Sequence, residues 1–525
     1  MTLKSTKLYP KKHLLVNFNL LFFLVMWILI SNCIFMRNLY YQNSRMFQKS
    51  EQTNLEIYQE KNDILHYYNV HQYDFLSQPC IKVKDSIQNN TFSNTSYQRT
   101  FWMWDSNNWS YYKINATLVS VGENCYIYME DYCIAEIGEF AAIKQAEGIC
   151  DEFDDIIYPR IIELAGHPNG TIGDIDGDPK IIILLSSNPI SYYDQRNELK
   201  LEYSNLCEMF HIYYKTWIPT IAHEFHHLIW FNNEMDEPHF TLEALAEYAV
   251  FYADYLAPYN NLSPQTELFL NHPEDSLLYW NMLNSIDYGG VYLFAFYIAE
   301  RYGLEILRNL IMEPADGAYG IENVLKNSGN NISFNELYLN WITALTLDEI
   351  GFMNNLYGFE NLDARVTNYT SVNFPLINDK VKLYYYGFHV HKISSLPNNF
   401  AVEIKKDQNT TIGFSIAFHD SMGWHVYQNL NNEGNSLINE KFIGSEIDEA
   451  YIITSYIFNQ TPPIPSENGL GPFIYIEITI KNTTKKNIIP NLIFYEIFIL
   501  LLIITLITLR KVMRKKTTID RSVHS

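Results

Sequence analysis

The sequence predicts an α+β protein: a small sheet and a helical middle, then a β-sandwich-like domain, with an apolar membrane segment on each flank. Three observations carry this. Between Phe101 and Glu130, "FWMWDSNNWSYYKINATLVSVGENCYIYME" alternates large apolar and polar residues across turn-rich breaks, the period of short strands. From Thr216 to about Asp348 apolar residues recur at helical spacing, in "FTLEALAEYAVFYADYL", "GGVYLFAFYIAERYGLEILRNLI" and "SFNELYLNWITALTLDEI". From about Lys380 the two-residue alternation returns in "VKLYYYGFHVHKI", "FAVEIKK", "IGFSIAFH" and "FIYIEITIK", at the spacing of a sandwich.

Taken in order, residues 1–12 form a basic end, with Lys4, Lys7, Lys11 and Lys12 ahead of an apolar segment at 13–36. Its uninterrupted part, Leu20–Ile30, suits a signal-peptide core, whereas the whole segment is long enough to span a bilayer. No Ala-x-Ala-like site follows Ile30, which favours an uncleaved anchor over a signal peptide; Ser31-Asn32-Cys33 leaves a loose lipoprotein-type site as a further alternative. Residues 37–95 are polar, without a sustained period, and read as a stalk or lead-in with room for a latency role. Residues 96–350 and 351–486 make the two folded domains. Residues 134–166 read as helical, and "GTIGDIDGDPKIIILLSS" as a turn cluster feeding a buried strand, Ile181–Leu185.

The segment 487–509 reads as a transmembrane helix, interrupted by Glu496, and Arg510, Lys511, Arg514, Lys515 and Lys516 open a basic tail at 510–525. The positive-inside rule keeps both basic ends in the cytoplasm and turns everything between them outward. Asn-x-Ser/Thr sequons, from Asn89 to Asn482, all fall between the two apolar segments and agree with a glycosylated extracellular part. With 37 basic and 59 acidic residues the formal charge is −22, which argues against nucleic acid as a partner. Cys80, Cys125, Cys133, Cys150 and Cys207 lie in the outward part, and Cys33 at the membrane edge. Disulfides are expected there, with a pairing that spacing does not reveal, and the lack of any CxxC pair argues against a cysteine zinc site.

The chemistry centres on His223-Glu224-Phe225-His226-His227, an H-E-x-x-H match. On a helix His223 and His227 stand at i and i+4, so both imidazoles leave one face and can approach one Zn²⁺. Glu224 lies beside that face, within reach of a water but not as a ligand. A bare match is a weak signal, and its context strengthens it. Ile218, Ile221, Ala222, Phe225, Leu228 and Ile229 supply a helical apolar face. Downstream, "TLEALAEY" offers Glu243 and Glu247 four residues apart. One can be the third ligand while the other accepts the far N–H of a ligating histidine. Glu243 is assigned as ligand and Glu247 as that acceptor, the reverse being the alternative.

The stretch "HEFHH…TLEALAEY" resembles the gluzincin-type zinc metallopeptidases, most closely the hyicolysin family of neutral metalloproteases, with some likeness to immune-inhibitor-A-type proteases. "LVSVGENCYIY", "GDIDGDPKIIILLS" and "YGGVYLFAFYIAERYG" agree, so the likeness covers roughly residues 100–350. The family usually shows Trp-Leu-Asn-Glu-Gly around its glutamate ligand, where this chain has Phe240-Thr241-Leu242-Glu243-Ala244. The resemblance implies a zincin-like fold for residues 96–350, zinc at His223, His227 and Glu243, Glu224 as general base, and a peptide or protein substrate cut as by an endopeptidase. Related enzymes place a tyrosine or histidine after the second helix to stabilise the oxyanion, which makes Tyr288, in "DYGGVYLF", the candidate here. The alternative from another class is a surface adhesion or receptor protein with a degenerate peptidase-like domain.

The remaining histidines carry plainer expectations. His226 is read as a rim or packing residue, and His211, His239 and His272 as surface or turn residues. Asp174, Asp176 and Asp178 stand at alternate positions and invite Ca²⁺. Pro179 and Leu185 occupy the EF-hand glycine and glutamate positions, so the reading is a turn feeding a strand, with calcium as the alternative.

Overall fold

The computed structural model describes residues 97–483 apart from 106–107, 169–174, 217, 257–261, 281–284, 431, 445, 466–468 and 470. Both expected membrane segments, the 37–95 lead-in, Cys33, Cys80 and Asp174 lie outside these residues. Among the described residues no helix is long and apolar enough to cross a membrane.

The chain opens with strands Gln98–Asp105 (β1), Ser110–Val121 (β2) and Cys125–Glu130 (β3). Helices Asp131–Ile137 (α1) and Glu139–Glu152 (α2) follow, then a π turn at Phe153–Ile157 and helix Tyr158–Ala165 (α3). Strands Ile181–Ser186 (β4), Tyr192–Tyr193 (β5) and Met209–Tyr213 (β6) complete a sheet of order β1-β2-β3-β4-β6-β5. β3, β4 and β6 run parallel, and the two-residue β5 lies antiparallel on the edge. β4 reads "IIILLS" and is buried throughout, as a parallel strand covered on both faces must be. Ile181, Ile183 and Leu185 enter the core shared with the helices, while Ile182 and Leu184 join a smaller cluster with Phe101, Met103 and Met209.

The helical layer comprises Pro219–Asn233 (α4), His239–Tyr252 (α5), Pro264–Asn271 (α6), Ser285–Tyr302 (α7), Leu304–Leu310 (α8), Gly317–Asn327 (α9) and Phe334–Leu347 (α10). The pair Gly289-Gly290 sets how closely α6 and α7 approach. A Cβ at Gly289 would sit 2.1 Å from the Gln265 carbonyl oxygen, and one at Gly290 2.9 Å from the Phe269 ring. α10 begins with a capping box, in which Ser333 and Glu336 satisfy each other's backbone N–H. Its Trp341 is fully buried between Phe269 and Phe294, at ring distances of 5.7 and 5.2 Å.

Nine further strands follow: Thr370–Asn373 (β7), Leu376–Tyr384 (β8), Phe388–Ser394 (β9), Asn399–Lys405 (β10), Thr411–Asp420 (β11), Gly423–Asn429 (β12), Leu437–Ile443 (β13), Glu449–Ile457 (β14) and Phe473–Asn482 (β15). They form sheets of order β13-β10-β15-β8 and β12-β11-β14-β9-β7, antiparallel except for β7 beside β9. Phe400, Val402, Phe414, Ile416, Ile476 and Ile478 fill a core shared by the two sheets. β15 keeps the expected alternation, with Ile476, Ile478 and Ile480 inward. β11 and β14 do not: the second sheet is covered on both faces, because Phe388, Val390, Ala417, Tyr451 and Ile453 pack into the core of the helical layer. Tyr338 of α10 meets Ser455 of β14 through their hydroxyls at 3.0 Å. The α+β class expected from the sequence is therefore observed, and one apolar core runs from the first sheet through the helices to β9, β11 and β14.

The expected disulfides are not formed among the described cysteines. Cys125, Cys133, Cys150 and Cys207 are buried thiols, and Cys125 and Cys150 touch with sulfurs 3.7 Å apart, beyond the ~2.05 Å of a bond.

The glycine pair yields a direct test. Gly289→Ala should lower stability by about 1–3 kcal/mol, since the added methyl meets backbone and not a movable side chain. Urea unfolding followed by circular dichroism measures it.

Candidate metal centre

α4 begins at Pro219, whose missing N–H is harmless in the first turn. Its apolar face is fixed by Phe225, which lies 5.1 Å from the Phe153 ring and stacks at 5.5 Å on Tyr158. With Phe225 seated there, His223 and His227 turn toward α5, which packs beside α4 and presents Glu243 to them. His223 Nε2 and His227 Nε2 stand 3.0 Å apart, and Glu243 Oε2 lies 3.1 Å from the first and 3.4 Å from the second. The far nitrogen of His223, Nδ1, lies 3.2 Å from Glu247 Oε1. The structure thus brings together His223, His227, Glu243 and Glu247, four of the five residues singled out on the two helices.

These three donor atoms fit a zinc ion. They lie within 4.8 Å of one another, and Glu243 Oε2 is buried without an aligned hydrogen-bond donor although two imidazole nitrogens face it. Two ring nitrogens and a carboxylate oxygen aimed at one another are the donor set of a three-ligand site. A proton on His223 Nδ1, directed at Glu247, leaves the Nε2 lone pair free for a cation.

The electrostatics follow from burial opposed by charge. Burial works against a charge on His223, yet the Glu243 and Glu247 carboxylates beside it hold its pKa well above that of an ordinary histidine. Glu243 feels the same burial, which the His227 and His223 imidazoles overcome, so its carboxyl is held well below the carboxylate range. Glu224 goes the other way. Burial pushes it up, against the pull of His223, His227 and the backbone N–H of Tyr193. Tyr288, on the first turn of α7, has its ring 6.3 Å from that of His223. Burial and the charges of Glu243, Glu247 and Glu224 raise its phenol well above the usual value, so it stays protonated and able to donate.

No protein-family model matches the chain. It is similar to "Neutral metalloprotease ShpI" of Staphylococcus hyicus, with 25% identity over 284 residues, 46% of this chain. The matched part spans 61% of that relative's length. This is a distant metalloprotease relationship. Among solved structures, the pre-peptidase C-terminal domain of a Bacillus anthracis collagenase matches with 12% identity and a TM-score of 0.16, over 23% of this chain and all of that one. The surface-associated copper-binding protein CorA of Methylomicrobium album BG8 matches with 6% identity and a TM-score of 0.16, over 22% of this chain and 98% of that one. At such scores neither likeness bears on fold or function.

The other candidates separate clearly. His226 is fully buried against Trp230, at a ring distance of 5.7 Å, a packing residue. His211 is not a surface residue: it is buried, stacks on Tyr192 at 4.3 Å, and is pushed down to about 3 by desolvation. His239 is exposed at the start of α5, with its ring 6.4 Å from that of Trp280, and His272 is half-buried beside Glu274. The calcium alternative finds no support. Asp176 and Asp178 accept from the turn's own N–H groups, Asp178 also accepts from Tyr126, and neither joins a ligand cluster among the described residues.

Sequence reasoning missed three features. Tyr193 reaches Glu224 from a strand of two residues, too short for a periodic signal. Trp280 packs edge-on against Tyr288 at 4.9 Å from a loop without any pattern. Glu234, Glu237 and Asp316 bring three carboxylates within 4.8 Å, across a gap of some eighty residues.

That last group makes a pH-dependent prediction. Desolvation raises Glu237 from 4.5 to about 8, partly offset by the Gly317 N–H it accepts at 2.8 Å. Because the folded value exceeds the unfolded one, folding takes up a proton, and stability falls as pH rises from about 4.5 through 8. Glu237→Gln keeps an acceptor for Gly317 without the charge. It should gain stability over the unsubstituted chain progressively across that window and level off above it, as read by denaturant unfolding at pH 5, 7 and 9.

Proposed function

We propose that this chain is a zinc-dependent peptidase, an endopeptidase of zincin-like fold, which hydrolyses peptide bonds at the outer surface of a membrane. The observation that carries the reading is the convergence of His223 Nε2, His227 Nε2 and the otherwise unpaired Glu243 Oε2, with Glu224 on the adjacent helical position. The distant similarity to a neutral metalloprotease supports it.

In this reading His223, His227 and Glu243 hold the zinc, and Glu247 keeps His223 in the ligating tautomer. Zinc, when bound, supplies a Lewis acid that polarises the scissile carbonyl and acidifies a water. Glu224 takes the proton from the attacking water and delivers it to the leaving amine, a task suited to a carboxyl raised by burial. Tyr288 donates its O–H to the oxygen that becomes negative as the tetrahedral intermediate forms. The apolar segments at 13–36 and 487–509, with the sequons between them, support an outward-facing catalytic part.

Two experiments test this. The full chain in detergent should carry about one zinc and cut a mixed peptide library. Glu224→Gln should keep the metal while kcat/KM falls about 10²- to 10⁴-fold. Glu243→Ala should lose the metal, and Glu247→Ala should weaken its affinity by about 10- to 100-fold. Equal cutting by the Glu224→Gln variant would overturn the assignment. For the topology, externally added protease should degrade residues 100–480 on intact cells, and full protection would refute it.

A further inference from the structure

We propose that the carboxy-terminal sheets are part of the catalytic apparatus: the turn between β8 and β9 fixes the loop 272–280, and Trp280 at the end of that loop positions Tyr288 against the histidine cluster. The inference rests on the peptidase reading for the role of Tyr288, but the placement of Tyr288 is testable without activity.

The loop is bound to the turn from several directions. Phe388 N–H donates to the Pro273 carbonyl at 2.8 Å, and Leu277 N–H to the Tyr386 carbonyl at 3.0 Å. The Ser276 hydroxyl donates to the Tyr385 carbonyl at 2.5 Å and in turn accepts from the N–H groups of Leu278 and Tyr279. At Gly387 a Cβ would sit 2.0 Å from the Glu274 carbonyl oxygen, so the two backbones are in contact and only glycine fits. Tyr386 holds φ at 55°, an unfavourable conformation for a bulky residue. It is kept there by its N–H on the Tyr456 carbonyl at 2.8 Å and its hydroxyl on Asn335. A strained, over-determined turn of this kind is a rigid anchor.

Trp280 transmits that anchor to the site. Its carbonyl accepts from Gly469 N–H at 3.1 Å. Its indole N–H is buried without a partner, so packing and not a hydrogen bond of its own sets the ring's position. That ring meets Tyr288 edge-on, and Tyr288 in turn faces His223. α7 supplies the backbone of Tyr288, but the side chain has its apolar wall from Trp280. An oxyanion donor works only within a narrow distance range, so a wall that shifts by a fraction of an ångström changes rate without changing substrate affinity.

The test uses the full chain with 3-fluorotyrosine placed at position 288, with Trp280→Ala and Gly387→Ala as variants and Trp280→Phe held ready in case the alanine variant lacks a cooperative thermal melt. The ¹⁹F resonance of position 288 should move in Trp280→Ala and also in Gly387→Ala, whose substitution lies on the turn itself. An unmoved resonance in folded variants overturns the proposal. With zinc loaded, Trp280→Ala should lower kcat about 10- to 100-fold with KM and zinc content unchanged. In a Tyr288→Phe background the same change should lower kcat less than about twofold, because both act through one group. Fully additive losses, or a loss confined to KM, overturn it. Movement of the resonance together with full activity in Tyr288→Phe would retain the positioning and refute the catalytic role of Tyr288 instead.

Discussion

Glu243 Oε2 faces two imidazole nitrogens within 3.4 Å and has no other donor aligned with it. A buried carboxylate in that state is expensive unless its charge is met nearby, and the helices that carry it must not relax to let water in. Much of the surrounding sequence answers this demand. The far side of α4 is clamped by aromatic rings at Phe153 and Tyr158. α7 is buried along most of its length because it packs on α5, α6 and α8, and α10 because β11 and β14 cover it. Gly289 and Gly290 let α6 come close enough to hold the turn that bears Tyr288.

The same convergence sorts two neighbouring carboxyls into opposite states. Glu243 and Glu224 are both buried, yet the first is pulled down by the imidazoles it touches while desolvation lifts the second. Environments that drive like groups apart let one site hold an anion beside a carboxyl that keeps its proton more tightly. Tyr288 completes the pattern: burial first, and then the charges of Glu243, Glu247, Glu224 and Asp287, oppose its ionisation and keep it a donor.

What the sequence made legible was local. His223 with His227, and Glu243 with Glu247, are i, i+4 pairs, so helical periodicity alone places each pair on one face, and Tyr288 sits one turn into a helix with an unmistakable apolar pattern. Contacts across long separations were not legible. Nothing near "SPQTELFLNHPEDSLLYW" indicates that its loop is fastened to residues 385–388, since apart from the Ser276 hydroxyl the fastening groups are backbone amides and carbonyls common to every residue. The runs "IGFSIAFH" and "YIITSYI" carry the signal of a sheet covered on both faces, but their polar members, Ser415, Thr454 and Ser455, imitate an alternating strand. His211 misled for a related reason: a histidine is buried by what its neighbours build around it, here Tyr192 on a strand of two residues. Cysteine spacing likewise could not tell that Cys125 and Cys150 meet as thiols.

The sheet that backs the helical layer has a consequence for how the chain emerges during synthesis. α10 ends at Leu347, whereas β14, which covers it, ends at Ile457, 110 residues later. At about 5–20 residues per second, the ribosome takes roughly 6–22 s to deliver that cover. For that interval Tyr338 and its apolar neighbours on α10 lack their native partners, in a nascent chain that already holds every proposed metal ligand. A chain cut short in this window would carry the whole donor set on an uncovered apolar layer, the kind of surface that chaperones and proteases act on.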